Sequence, residues 1–352
     1  MKLPQAYASL SEQQAAEHIR AAKAALGSDL VILTHHYQRD SIVAFGDFVG
    51  DSLELSRRAA QVRDARYIVF CGVDFMAETA AMLCGPNQVV LIPDRTAMCP
   101  MAAMATRQQA VLAWDALTAL WGDDLVPVTY QNSYADLKAF CGEHGGAVCT
   151  SANAQKVLQW AFSQRGHVIF FPDEHLGRNS ALALGVPASQ IRVWDPDAPD
   201  PQALRDARMI VWKGFCHVHT RFTTADVDAI RARYPDAKIV VHPECTAEVV
   251  ARADAAASTS GIVRYVRDLP AGATVAIGTE IHLVERLAAQ NPDKTVVPLA
   301  RSQCGAMYRI TPQALAYTLD ELTQGRFVNR VRVPKSIQKW ANKALERMLA
   351  LA

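Results

Sequence analysis

Short apolar runs, each followed by a helical stretch, recur along this chain in three groups. The first group is VILTHHYQ (31–38), YIVFCG (67–72) and VVLIPD (89–94). The second is LVPVTYQN (125–132), GAVCTSAN (146–153), HVIFFPDE (167–174) and MIVWKGFC (209–216). The third is KIVVHPE (238–244), DAAASTSG (254–261), ATVAIGTE (273–280) and TVVPLA (295–300). Set side by side, the first runs end in THHY, TYQN and HPE. The second runs end at helix starts, CGVD, CTSAN and STSG, and the third in IPD, FPDE and GTE. Strands alternating with helices make an α/β protein, and a period this long exceeds that of a solenoid unit. The pattern predicts three similar small three-layer αβα domains with short parallel sheets, related by pseudo-threefold symmetry. Their expected bounds are 1–123 with an N-terminal helix, 124–236, and 237–352 with C-terminal helices. The competing reading is that any α/β chain shows strands at such intervals, and the first group lacks a fourth run.

Ligands of parallel α/β sheets bind beyond the carboxyl ends of the strands, where all of these polar residues fall. His35 and Tyr37 alternate on one face after the first run. The stretch KIVVHPECTAEVV sets His242, Glu244 and Cys245 at the end of a single apolar run. Metal ligation, acid–base chemistry and plain packing are all open to such a set. Ser52, Ser151 with Asn153, and Ser258 with Thr259 stand at helix starts, where free amides favour anions. One such start is ordinarily a cap; three suggest a pocket for a ligand bearing carboxylates or phosphate.

With 352 residues and a formal net charge of +1, no broad field favours nucleic acid or an anionic membrane. No apolar run reaches membrane-spanning length and the N-terminal stretch lacks a signal-peptide core, so a cytoplasmic location is expected. The eight cysteines include no CxxC pair, and buried inert thiols are the default for most of them. Three lie one per group in loops after the runs, PDRTAMCPMA, WKGFCHVHTRF and RSQCGAMYR.

Taken together, THHYQ, GDSLE, IPDRTAMC, YQNSYADLKA, CTSANA, FPDEHLG, GFCHVHTRF, VVHPEC, ASTSGI and GTEIHLVERL, with the late Cys304, resemble the quinolinate synthase family over residues 28–325. The resemblance implies a [4Fe–4S] cluster held by Cys99, Cys216 and Cys304, with one open iron. It implies condensation of iminoaspartate with dihydroxyacetone phosphate to quinolinate, on the way to NAD. The partner it implies, in transient contact, is an imine-producing aspartate oxidase or dehydrogenase, with no nucleic acid and no membrane. Carried over by motif, Glu244, Tyr37, His35 and Tyr130 are the catalytic residues. His35, Ser52, Tyr130, Gln131, Asn132, Ser151, His242, Pro243, Glu244, Ser258 and Thr259 bind substrate, with His217 lining the site. Two departures from the family pattern are a longer segment at 140–149 and the absence of further cysteines near Cys304. Pro243 ends the strand, which turns Cys245 away into a packed, non-ligating position. Desolvation is expected to raise the pKa of Glu244.

Overall fold

A parallel strand covered on both faces needs apolar side chains at every position rather than every second one. YIVFC, LVPVTY and HVIFF meet that condition, and each is buried throughout or nearly so in the computed structural model, which describes residues 3–351. The strands in chain order are β1 (Leu30–His35), β2 (Phe48–Gly50), β3 (Tyr67–Cys71), β4 (Val89–Leu91), β5 (Leu125–Tyr130), β6 (Ala147–Cys149) and β7 (His167–Phe171). They continue as β8 (Ile191–Trp194), β9 (Met209–Trp212), β10 (Lys238–Val241), β11 (Ala255–Ala256), β12 (Thr274–Gly278), β13 (Thr295–Pro298) and β14 (Arg330–Val331).

Among the described residues these form three sheets, ordered β14-β4-β3-β1-β2, β6-β5-β7-β9-β8 and β11-β10-β12-β13. Every pairing is parallel except β14 with β4. Without the edge strands β8 and β14, the sheets share one order: second strand, first, third, fourth. This corrects the alignment of the first group. Its second strand is the three-residue FVG of β2, too short to read as an apolar run. YIVFCGVD is therefore its third strand, the counterpart of HVIFFPDE and TVAIGTE. The helix starts after the second strands are then those at Ser52, Ala154 and Thr259.

The chain folds as two compact units, Met1–Cys99 with Gln303–Val333, and Pro100–Ser302 with Pro334–Ala352. The first unit holds the first sheet and the second unit holds the other two. The tail expected beside the third sheet divides between them. Helix Pro312–Thr323 packs on helix Glu12–Leu26 in the first unit; helix Lys335–Ala350 packs on helix Ala135–Glu143 and β6 in the second. A Cβ at Gly142 would lie 1.9 Å from the Trp340 carbonyl oxygen, so glycine is what permits that approach. This last helix therefore covers the 140–149 segment. None of the described helices is long and apolar enough to cross a membrane.

Candidate functional site

The end of β10 is fixed by three sets of hydrogen bonds in the second unit. His242 N–H donates to Gly278 O (3.0 Å) and extends the ladder by one residue. Pro243 has no N–H to continue it, and Cys245 N–H closes a turn on His242 O (3.0 Å). The Asn179 side-chain amide, from helix Glu174–Ala183, then donates to Pro243 O (2.9 Å) and Cys245 O (2.8 Å). His242 and Glu244 are left almost wholly buried, each 2% exposed. Cys245 packs among Ile239, Val241 and Val249. Burial, with the nearby Glu244 charge, pushes its thiol pKa far up.

Two imidazoles meet one carboxylate oxygen here. Glu244 Oε2 lies 2.7 Å from His219 Nδ1 and 3.2 Å from His242 Nδ1. The two rings stack with centroids 4.3 Å apart. Beyond them, His219 Nε2 lies 3.2 Å from Thr279 Oγ1, and His242 Nε2 lies 3.2 Å from Ser151 Oγ. Ser151, His242 and Glu244 are thus joined as hydroxyl, imidazole and carboxylate, an arrangement that can pass a proton to and from the hydroxyl. The Cys216 sulfur and ligand atoms of His219 and Glu244 all lie within 4.8 Å of one another. Glu244 Oε1 is buried without a hydrogen-bond partner among the described residues, an acceptor still open to a ligand.

Burial by itself raises the pKa of Glu244, as expected from its position. The charges of His219 and then His242 outweigh it and hold the carboxyl well below its usual range. The expected upward shift is therefore corrected: the two imidazoles hold the Glu244 carboxyl down despite its burial. Asp173, wholly buried at the end of the β7 run, moves the other way. Burial first, then the Glu244 charge, push its carboxyl well above the usual range. Its Oδ1 caps helix Glu174–Ala183 at Leu176 N–H (2.7 Å) and its Oδ2 has no partner among the described residues.

The other residues singled out in the sequence fall at the carboxyl ends of strands in their own units. Tyr130 ends β5. The loop after it, with Gln131 and Asn132, is tied down by the fully buried Lys138, whose Nζ donates to Gln131 O (2.9 Å) and to Ser133 O. Ser151 and Ser258 line a cavity of about 380 Å³ with Asn153, Asn179 and Pro243. Lys156 and Arg264 also line it, and no acidic residue does. Ser258 caps helix Thr259–Asp268 through Gly261 N–H, which makes Thr259 its first residue. In the first unit, the His35 and Tyr37 rings meet edge to face at 4.7 Å. Beside them in the sheet, β2 leads to Ser52, the first residue of a helix that Asp51 caps. Cys99, Cys216 and Cys304 are all partly exposed, and each follows the fourth strand of a sheet.

His217 is exposed. The buried neighbour of Glu244 is His219, three residues after Cys216 in a turn whose His219 N–H donates to Cys216 O (3.1 Å). The spacing Cys-x-x-His in GFCHVH was the signal for it. Nothing local marks Asn179, which acts on a loop distant in sequence.

A family model described as quinolinate synthetase A protein matches residues 17–350. A quinolinate synthase of Nocardioides sp. is 49% identical over 97% of this chain and 90% of its own length. One of Corynebacterium glutamicum is 48% identical over 99% and 90%. One of Anoxybacillus flavithermus is 47% identical over 99% and 97%.

Proposed function

The chain belongs to the quinolinate synthetase A protein family, and on that premise we propose that it condenses iminoaspartate with dihydroxyacetone phosphate. Quinolinate forms with loss of phosphate and two waters, without net change of oxidation state. The observation that carries the reading is the Ser151–His242–Glu244 set, its imidazole and carboxylate buried, with His219 on the same carboxylate oxygen. Imine condensation and dehydration both require protons to be taken up and returned at carbon and oxygen, which is the work of such a set. Glu244, kept as a carboxylate, orients both imidazoles and stabilises whichever is protonated. His242 exchanges a proton with the Ser151 hydroxyl. Lys156 and Arg264 give the cavity a positive lining for anionic substrates. His35, Tyr37, Ser52, Tyr130, Asn132 and Thr259 are assigned to holding and orienting substrate.

The thiols suit a [4Fe–4S] cluster. Cys99, Cys216 and Cys304 are partly exposed in loops that occupy the same place in the three sheets. Cys71, Cys141, Cys149 and Cys245 are buried and their thiol pKa values are raised by burial, that of Cys71 to about 12, so they stay protonated. A cluster with three thiolate ligands supplies an open iron as Lewis acid for a departing hydroxyl. The shared strand order also supports a pseudo-threefold relation among the sheets.

The test is anaerobic assay of the purified chain with dihydroxyacetone phosphate and the imine formed from oxaloacetate and ammonia. Quinolinate should appear, and iron and sulfide should be present in about equal amounts. Absence of product from iron-replete protein overturns the proposed reaction.

A further inference from the structure

We propose that one repeated device sets the three cysteine loops. In every sheet, the first amide of the helix after the third strand holds the loop carbonyl two residues before the cysteine. The proposal rests on the reading of these thiols as cluster ligands. Asp74 N–H donates to Ala97 O at 3.0 Å, Glu174 N–H to Gly214 O at 2.8 Å, and Ile281 N–H to Ser302 O at 2.8 Å. The donors are the first residues of helices Asp74–Leu83, Glu174–Ala183 and Ile281–Gln290. The acceptors precede Cys99, Cys216 and Cys304 by the same offset in each case.

The physical logic is that of a helix start. The first amides of a helix have no partner within it, so they can bind an incoming loop without disturbing the helix. The acceptor residue must then be small, because the loop backbone lies against the helix end. Ala97, Gly214 and Ser302 are all small and all buried. At Gly214 the need is explicit: a Cβ would sit 2.2 Å from the Pro172 carbonyl oxygen. Secondary ties reinforce the loops. Cys99 N–H donates to Asp74 Oδ1 (3.3 Å), and the Ser302 hydroxyl donates to Val218 O (2.7 Å), two residues beyond Cys216. The sequence signature is a small residue, any residue, then cysteine: AMC, GFC and SQC. Each thiol therefore follows, by two residues, a carbonyl anchored on the first amide of a helix.

Glu174→Pro tests the device directly. Proline is accepted at the first position of a helix, where its missing N–H costs the helix nothing. The preceding Asp173 is already extended, at φ −95° and ψ 114°, as proline requires of it. Glu174→Ala is the control: it removes the 2.8 Å ion pair with Arg178 but keeps the amide. The readouts are iron and sulfide per chain after anaerobic reconstitution, and the rate of iron loss to a chelator. Glu174→Ala should match the parent. Glu174→Pro should melt at a similar temperature without iron, yet hold iron about 10–100-fold more weakly, the usual effect of removing an outer support of a metal ligand. Gly214→Ala, which displaces the same loop from the acceptor side, should share that loss and serves if the proline variant does not fold. Parent-like iron retention in the folded variants overturns the device while leaving the cluster reading intact. A parent protein that takes up no iron overturns both.

Discussion

Glu244 keeps its charge in a buried place because two imidazoles share one of its oxygens. Replacing it by Gln preserves shape but reverses the preferred hydrogen-bond sense toward both rings. Glu244→Gln should retain iron and lose about 10²–10⁴-fold in kcat, the usual worth of a positioned acid–base group. Steady-state rates at confirmed iron content check this. Asp173 gives a pH-dependent counterpart. Its folded pKa is raised above the unfolded value near 3.9, so the folded state binds the proton more tightly. Stability due to Asp173 therefore falls as pH climbs from about 4 through the raised folded value. Asn cannot ionise and can still cap the helix. Asp173→Asn should match or exceed the parent melting temperature at neutral and alkaline pH, with the advantage vanishing toward acid. Melting curves across pH decide it, and a uniform loss at every pH contradicts it. His242 and Glu244 were legible because they end an apolar run. The direction of the Glu244 shift was not, because its stronger partner, His219, comes from a loop of another sheet.

Among the elements, the long central strands announced themselves and the edge strands did not. β2 and β11 have three and two residues, too few for any periodicity, and their place is set by pairing with β1 and β10. Missing β2 shifted the first group by one strand, although the helix start at Ser52 was recognised from its own residues. The loop after β5 depends on helix Ala135–Glu143, which carries Lys138 under it. Lys138→Met keeps the bulk but strips the donor from two carbonyls, Gln131 O and Ser133 O. Each acceptor left buried without a partner costs about 1–3 kcal/mol. A clear fall in melting temperature is expected, together with a loss in kcat/KM through Tyr130 and Asn132. Unchanged stability shows that another donor reaches those carbonyls.

At the scale of the whole molecule, the three groups of α/β runs were visible in the sequence and the division of the chain was not. Three like groups suggest three consecutive domains. The compact units instead draw on residues from both ends, with Gln303–Val333 returning to the first and the helix Lys335–Ala350 to the second. Apolar periodicity identifies a helix but does not say which surface it covers. The divided tail has a consequence for vectorial synthesis. A ribosome delivers the first sheet long before the helix and edge strand that cover it, and delivers both later sheets before their last helix. The first unit cannot be completed on the nascent chain until residues 303–333 have emerged, nor the second until 335–350 have, so both wait with apolar surface uncovered and finish almost together.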